Sequence, residues 1–218
     1  MTFAGTDEMQ DRSKEVDLTE VIFDMSVSLD GFVRASNATQ EQPLGDGGER
    51  LHEWAFGGDE RDREVLARGV QGSGAIIAGR RTYDDSVPFW GADGPHPPTR
   101  VFVVTHEAPD AVPEGGVYTF VTDGIESALE QAKAAAGDKN VAVMGGAEVG
   151  RQYIAAGLVD EIGVHLVPVL FGAGTRMFEH LGSEHIQLET IEVIETRGDA
   201  PALPHRQVTT DREAARSI

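Results

Sequence analysis

Hydrophobic residues occupy every second position in the segment that follows Glu20. The pattern runs through Val21, Phe23, Met25, Val27 and Leu29 and stops at Asp30-Gly31. A period of two places one row of apolar side chains on one face of a β-strand. The pattern therefore predicts a strand that ends in a turn at Asp30-Gly31.

Short apolar runs further along the chain predict buried strands, since glycine, proline or polar residues bound them. They are Ala75–Ala78, Val101–Val104, Val117–Val121 and Val141–Met144. Helical patterns lie between several of these strands. They are predicted near Glu49–Phe56, from Asp59 to about Gly69, directly after Gly79, from Asp123 to Gly137, and from Gly145-Gly146 to Gly157. Residues 88–98 are rich in proline and glycine and are predicted to form a loop.

The strongest helix signal follows Asp123. Asp123 and Glu126 have capping-box spacing, and Gly137 is a typical C-terminal stop. Ile125, Ala128, Leu129, Ala132 and Ala136 share one apolar face of this predicted helix.

Strands that alternate with helices predict an α/β fold with a mostly parallel sheet covered on both faces. No comparable helix separates Val159–Val167 from Ile186–Ile194, so we expect antiparallel strands added at an edge, with Val208 in a last edge strand. Residues 1–18 and 212–218 are predicted to be tails that flank a single domain over residues 19–211.

Composition and charge narrow the class of function. The 218-residue chain has 37 acidic and 18 basic residues and a formal charge of −19, which disfavours nucleic acid and anionic membranes as partners. It has no cysteine, which excludes a disulfide framework and a cysteine nucleophile, and its histidines show no metal-ligand spacing. Neither a membrane-spanning run nor a secretory signal is present in the sequence, so we expect a cytoplasmic protein without a bound metal.

Two glycine-containing turns follow predicted strands, where open α/β sheets bind ligands. Gly145-Gly146 would let the backbone approach a phosphate at a helix N-terminus, although a strand-to-helix turn needs glycine for its geometry alone. Gly79-Arg80-Arg81-Thr82 adds two guanidinium groups and a hydroxyl, although the arginines could simply offset nearby acidic residues. Two such turns on one sheet edge favour a phosphorylated dinucleotide, NADP(H) rather than NAD(H).

Two further strand ends carry polar residues. Thr105-His106 could contact a phosphate or cap its strand. Asp30 ends a buried strand, where a carboxyl group can have a raised pKa and act as an acid or as an orienting acceptor. An Asp-Gly pair is also a common turn, so a purely structural Asp30 is the alternative.

Five segments occur in an order that resembles the dihydrofolate reductase-like superfamily. They are Ser28–Gly31, Ile76–Tyr83, Gly145-Gly146, Gly157–Ile162 and Pro168–Gly174. Within that superfamily, the chain is most similar to the reductase domain of bacterial riboflavin biosynthesis, over roughly residues 21–208. The resemblance implies a three-layer α/β/α domain with a mixed, mostly parallel sheet and antiparallel C-terminal strands, and a homodimer.

The resemblance also implies NADPH along the sheet edge. The adenosine phosphate end would lie at Gly79, Arg80, Arg81, Thr82, Thr105 and His106, the pyrophosphate at Gly145, Gly146, Ala147, Glu148 and Val149, and the nicotinamide near Val27 and Gly31. A cis peptide often joins the two adjacent glycines in the family. We expect Asp30 to be catalytic and Asp46, His52 and Trp54 to bind the substrate.

The acidic residue with which dihydrofolate reductases protonate folate has no evident counterpart in residues 37–56, so folate reduction is not expected. We also expect no zinc deaminase part ahead of the reductase-like part. The sequence predicts an NADPH-dependent enzyme, similar to 5-amino-6-(5-phosphoribosylamino)uracil reductases, that transfers hydride to a small polar heterocycle. A non-catalytic NADP(H)-binding module or sensor is the alternative.

Overall fold

The computed structural model describes residues 19–196 and the backbone of residues 205–210. Both predicted tails, residues 1–18 and 212–218, lie outside the described residues. The strands are β1 (Val21–Ser28), β2 (Phe32–Ala35), β3 (Ser73–Gly79), β4 (Arg100–Val104), β5 (Tyr118–Val121), β6 (Asn140–Met144), β7 (Glu161–Val167), β8 (Gly174–Arg176), β9 (Leu188–Ile194) and β10 (His205–Thr210). The helices are a 3-10 helix (Gly48–His52), α1 (Glu53–Gly57), α2 (Glu60–Gly72), α3 (Arg80–Trp90), α4 (Ile125–Ala136) and α5 (Ala147–Ala155).

Eight strands form one sheet in the order β5-β4-β3-β6-β1-β7-β10-β9, and β2 pairs with β8 in a small second sheet. The first six strands in this order run parallel to one another; they are β5, β4, β3, β6, β1 and β7. Strands β10 and β9 are antiparallel to their neighbours. The predicted α/β class, with its mostly parallel sheet and antiparallel C-terminal strands, is confirmed.

Two expectations about the C-terminal strands are wrong. The segment predicted over 159–167 forms β7, which pairs in parallel with β1 instead of adding antiparallel at an edge. The helix α5 precedes β7 and supplies the crossover that a parallel strand requires. The strand that contains Val208 lies between β7 and β9, so β9 forms the edge of the sheet.

Helix boundaries follow the predicted caps at some positions and depart from them at others. Asp59 caps α2 in a full capping box with Asp62, but the helix continues to Gly72 rather than ending near Gly69. The N-cap of α4 is Gly124 at φ 100°, and no side chain caps it. Asp123 lies one residue too early to be the N-cap, so the predicted capping box is absent there.

Helix α3 occupies part of the segment predicted to be a loop. It runs through Pro88 and ends at Trp90. A proline removes one backbone hydrogen bond from a helix. Pro88 lies in the last turn, where the Gly91 N–H donates to the Val87 carbonyl and closes the helix, so the loss is small.

The two faces of the large sheet differ in polarity. One face packs against α4 and α5 and forms the main core, which includes Phe23, Val143 and Tyr153. The other face is apolar where α3 covers β3 and β4. Along β1 and β7, however, that second face carries Asp24, Ser26, Glu161 and His165 in register. No helix in the described part of the chain combines the length and apolarity that a membrane span requires.

Candidate functional site

A cleft opens at the carboxyl ends of the parallel strands and continues over the polar half of the second face. Its volume of about 2190 Å³ exceeds the roughly 300–1,000 Å³ of a pocket for one drug-sized ligand. Most predicted site residues line it: Gly79, Arg80, Arg81, Thr82, Thr105, His106, Gly145, Gly146, Ala147, Glu148, Val149, His52 and Trp54.

Four predicted site residues lie elsewhere. The Val27 side chain is 4% exposed and belongs to the core on the opposite face of the sheet. Gly31 and Asp30 form the turn after β1, and neither lines the cleft. Asp46 is exposed in the loop after β2, where its carboxylate accepts a hydrogen bond of 2.7 Å from Asn37 Nδ2.

The two predicted phosphate-type turns contact each other, since β3 and β6 are neighbouring strands. A Cβ on Gly145 would lie 2.5 Å from Thr82 Cγ2, and one on Gly79 would lie 2.9 Å from Val149 Cγ2. Gly145 and Gly146 have φ values of 66° and 76°. The turns therefore need glycine both for their backbone conformation and for their close approach.

The expected cis peptide between Gly145 and Gly146 is wrong. This bond is trans, and the cis peptide found in the described residues is Pro97–Pro98. Two consecutive glycines at positive φ turn the chain into α5 with trans geometry.

Helices α3 and α5 both begin at this junction without side-chain caps. Their N-caps are Gly79 and Gly146, and neither supplies a capping hydrogen bond. By contrast, Asp59 accepts hydrogen bonds from the backbone of Arg61 and Asp62 at the start of α2. The first N–H groups of a helix lack intrahelical partners and carry partial positive charge. The junction thus presents two adjacent helix N-termini that can bind an anion.

The arginines at the start of α3 have different surroundings. Arg80 Nε donates to Asp84 Oδ1 at 2.8 Å, and its NH1 donates to the Glu107 carbonyl at 2.7 Å. Thr105 Oγ1 donates to the same carbonyl at 2.7 Å, so Arg80 links the turn after β3 to the turn after β4. Arg81 is exposed, and within residues 19–196 it makes no hydrogen bond or ion pair.

A third arginine, Arg34, was not predicted to belong to the site. It extends from β2, pairs with Asp85 of α3 at 3.3 Å, and lines the cleft. Its Nε is buried without a hydrogen-bond partner in the structure. Burial raises the pKa of Asp85, and Arg34 opposes that effect. Arg34 was missed because it lies far from Arg81 in the sequence.

Asp30 does not have the raised pKa expected of a catalytic acid. A hydrogen bond of 2.6 Å from Ser28 Oγ is the main cause that lowers the pKa of Asp30 to about 2. The backbone N–H groups of Phe171 and Gly172 also donate to the carboxylate, at 3.1 and 2.7 Å. Asp30 therefore stays ionised near neutral pH and fastens the loop after β7 to the turn after β1.

The polar half of the cleft floor contains a group of side chains that sequence reasoning missed. His165 Nε2 on β7 lies 2.6 Å from Asp24 Oδ1 on β1. The Trp54 ring stacks on His165 with centroids 4.2 Å apart, and Trp54 Nε1 donates to Ser26 Oγ at 2.9 Å. The sequence signal for this group was the row of polar residues at alternate positions of β1. In an interior strand, a polar face indicates that this face borders a polar site rather than the core.

Two residues that interact with this group each have a buried polar atom without a hydrogen-bond partner. These atoms are His52 Nδ1 and Glu161 Oε1, and both residues line the cleft. Burial, with a contribution from His165, lowers the pKa of His52, so it is neutral near pH 7. Burial, together with neighbouring carboxylates, raises the pKa of Glu161 to about 7. Buried polar groups normally have partners, so these atoms indicate where a polar ligand would bind.

Comparisons with known proteins show the family and the fold of the chain. Residues 19–199 match the family described as the RibD C-terminal domain. The fold resembles a riboflavin biosynthesis protein from Shewanella sp. PV-4, with a TM-score of 0.66 and 20% identity over 89% of this chain and 99% of that chain. No curated protein sequence matches the chain significantly.

Two further solved structures share the fold. Dihydrofolate reductase from Enterococcus faecalis, complexed with NADP(H) and RAB-propyl, has a TM-score of 0.56 at 15% identity, over 88% of this chain and 94% of that chain. A pyrimidine reductase-like protein from Corynebacterium diphtheriae has a TM-score of 0.58 at 14% identity, over 89% of this chain and 92% of that chain.

Proposed function

Because the chain belongs to the RibD C-terminal domain family, we propose that it is a cytoplasmic reductase that uses NADPH to reduce a small, polar heterocyclic molecule. The observation that carries this proposal is the junction of the three turns that follow β3, β4 and β6, at the carboxyl ends of these strands. Thr82 joins the turns after β3 and β6, and Arg80 joins the turns after β3 and β4.

The residues at the junction fit a dinucleotide phosphate. The uncapped N-terminus of α5 would hold the pyrophosphate, and Arg80, Arg81 and Thr82 would hold the extra phosphate of the adenosine end. Glycine at positions 145 and 146 keeps side chains out of the space that the backbone must share with the ligand. The bound cofactor would supply a hydride.

The substrate pocket would be the polar half of the cleft. Trp54 and His52 form one wall, and Asp24, Glu161 and His165 form the floor. A flat aromatic wall above a floor of carboxylates suits a planar molecule with N–H groups. Asp30 would act from outside the pocket by fixing the loop after β7.

The test is a titration of the purified protein with NADPH and NADH, followed by nicotinamide fluorescence. We expect NADPH to bind more tightly, and absence of binding by either nucleotide would overturn the proposal. Pterins, quinones and 5-amino-6-(5-phosphoribosylamino)uracil are then offered with NADPH. Tight NADPH binding without oxidation of NADPH across these classes would favour the non-catalytic module.

The proposed enzyme is a homodimer that forms through the β9 edge. This edge strand carries the exposed apolar side chains Leu188, Ile191 and Val193, which are 47%, 50% and 49% exposed. An exposed apolar edge strand is a template for pairing with another chain. A second copy of the same chain would cover it.

A further inference from the structure

The pair formed by Asp24 and His165 combines a short contact with access to the cleft. The His165 side chain is 12% exposed, whereas that of Asp24 is 41% exposed and lines the cleft. Their contact of 2.6 Å between Nε2 and Oδ1 is a short hydrogen bond, strongest when the pair holds a proton. The imidazole is mostly covered, whereas the carboxyl group remains open to a molecule in the cleft.

The surrounding structure fixes the geometry of this pair. Trp54 stacks on the imidazole and is itself held by Ser26. A Cβ on Gly163 would lie 2.6 Å from Asp24 Oδ2, so glycine at this position leaves room for the carboxylate. Such support on two neighbouring strands and a helix is typical of a site that must hold precise geometry.

Charged and titratable groups face the pair from each packed element. His52 approaches from the 3-10 helix, and Glu161 lies four residues before His165 on the same face of β7. Glu192 of β9 pairs with Arg68 of α2 at 2.9 Å, near Glu161. Glu20 precedes β1. His52 interacts electrostatically with His165 and Glu161 with Asp24, and each has one buried polar atom without a hydrogen-bond partner.

We propose that Asp24 and His165 act as one proton-donating unit in the reduction, with Asp24 touching the substrate and His165 positioning and recharging it. This inference rests on the proposed function and assigns the proton source that Asp30 does not provide. The Asp24 carboxyl is the catalytic group, and His165, Trp54 and Gly163 are positioning residues.

The step balances as the reduction of a C=N or C=O bond. The carbon accepts a hydride, with its two electrons, from a reduced nicotinamide cofactor, which is thereby oxidised. The π electron pair moves to the nitrogen or oxygen, which takes a proton from the Asp24 carboxyl as its O–H bond breaks. The carboxylate receives that proton from His165, whose Nε2–H bond breaks as the O–H bond forms. After this step Asp24 and His165 together hold one proton fewer, and water replaces that proton through the exposed side of Asp24.

Trp54 provides a readout that needs neither cofactor nor substrate. A protonated imidazole quenches a stacked indole, so the fluorescence of a Trp90→Phe protein should fall as His165 gains a proton. We expect His165→Gln to abolish this transition and Asp24→Asn to move its midpoint to lower pH. Glu161→Gln and His52→Gln should retain it.

Loss of the transition in Glu161→Gln or His52→Gln, or an unmoved midpoint in Asp24→Asn, would overturn the proposal. Circular dichroism and a thermal melt of each variant check that it folds. Because no nucleotide is present, this result is independent of whether NADPH binds.

A second measurement tests contact with the cleft. Binding of 2,4-diaminopyrimidine to the cofactor-free Trp90→Phe protein should quench Trp54. We expect Asp24→Asn to weaken this binding at least tenfold, while the matched surface variant Glu130→Gln leaves it unchanged. Equal binding by Asp24→Asn and the parent would show that Asp24 does not touch the occupant of the cleft. Failure of NADPH binding alone would instead count against the proposed function.

Discussion

Asp30 and Glu161 are both carboxylates at strand ends, and their surroundings shift their pKa values in opposite directions. Asp30 accepts hydrogen bonds from Ser28 and two backbone N–H groups, which favour its charged form. Glu161 is 9% exposed and lies near other acidic residues, which favour its neutral form. Hydrogen bonding stabilises a carboxylate, and burial beside like charge destabilises it.

Asp30 is predicted to stabilise the fold except in strong acid. Its pKa of about 2 lies below the ordinary 3.8, so its contribution is present above pH 3.8 and is lost as the pH falls through 2. Asp30→Asn should lower the melting temperature by a few degrees at pH 7. It should also reduce the fall in melting temperature that the parent shows between pH 4 and pH 2. Asp110→Asn, an exposed carboxylate, is the control and should behave as the parent.

Glu161 is predicted to have the opposite effect. Its pKa of about 7 lies above the ordinary 4.5, so the folded state binds the extra proton and stability falls as the pH rises from 4.5 to 7. At about 1.4 kcal/mol per pKa unit, this loss is at most about 3 kcal/mol. Denaturant unfolding of Glu161→Gln across this pH range should lack that loss, and Glu130→Gln should retain it.

Arg80 and Arg81 are predicted to discriminate between the two nicotinamide cofactors. Only NADPH carries the extra phosphate, and a hydrogen bond to a charged group contributes about 1.5–3 kcal/mol. Replacing either arginine by alanine should weaken NADPH roughly tenfold or more and NADH little, as measured by fluorescence titration. Arg61→Ala, an exposed residue of α2, is the control. Equal losses for both nucleotides would show that these arginines do not contact the extra phosphate.

Close packing of α3 against the start of α5 is predicted to require glycine at position 145. Gly145→Ala adds both strain at φ 66° and a clash with Thr82, whereas Gly157→Ala adds strain at φ 65° with nothing within 4 Å. Strain costs about 1–2 kcal/mol, and overpacking about 1–3 kcal/mol more.

We therefore expect Gly145→Ala to destabilise the protein more than Gly157→Ala in urea unfolding and to weaken NADPH. Thr82→Ser removes the clashing methyl group and should recover part of the stability that Gly145→Ala loses. An equal cost for the two alanine variants, or no recovery with serine, would contradict the clash.

Local sequence signals predicted the eight strands of the large sheet, but not β2 or β8, and named many of the residues that line the cleft. Gly79-Arg80-Arg81-Thr82 and Gly145-Gly146 are short motifs, and strand ends of a parallel sheet meet at one edge, so their proximity could be inferred. Asp24 and His165 are 141 positions apart, and only the parallel pairing of β1 with β7 brings them together. Treating β7 as an antiparallel edge strand concealed that contact. The continuation of α3 through Pro88 was missed because proline near a helix end costs little.

At the scale of the whole molecule, the proposed homodimer would form through the exposed edge strand β9. A charge placed there should oppose pairing with a second copy, so Ile191→Lys and Val193→Lys should sediment as monomers where the parent sediments as a dimer. Val112→Lys replaces a residue that is 51% exposed elsewhere and should leave the dimer intact. A parent protein that is monomeric at micromolar concentration would contradict the proposed homodimer.

The central position of β1 has a consequence for biosynthesis. It is the first strand in the described part of the chain, and its backbone partners on either side come 120 and 139 residues later. At about 5–20 residues per second, the ribosome needs roughly 7–28 s to deliver the second partner. During translation the nascent chain therefore exposes an apolar strand with neither neighbour in place. The yield of folded protein should therefore depend on the rate of translation.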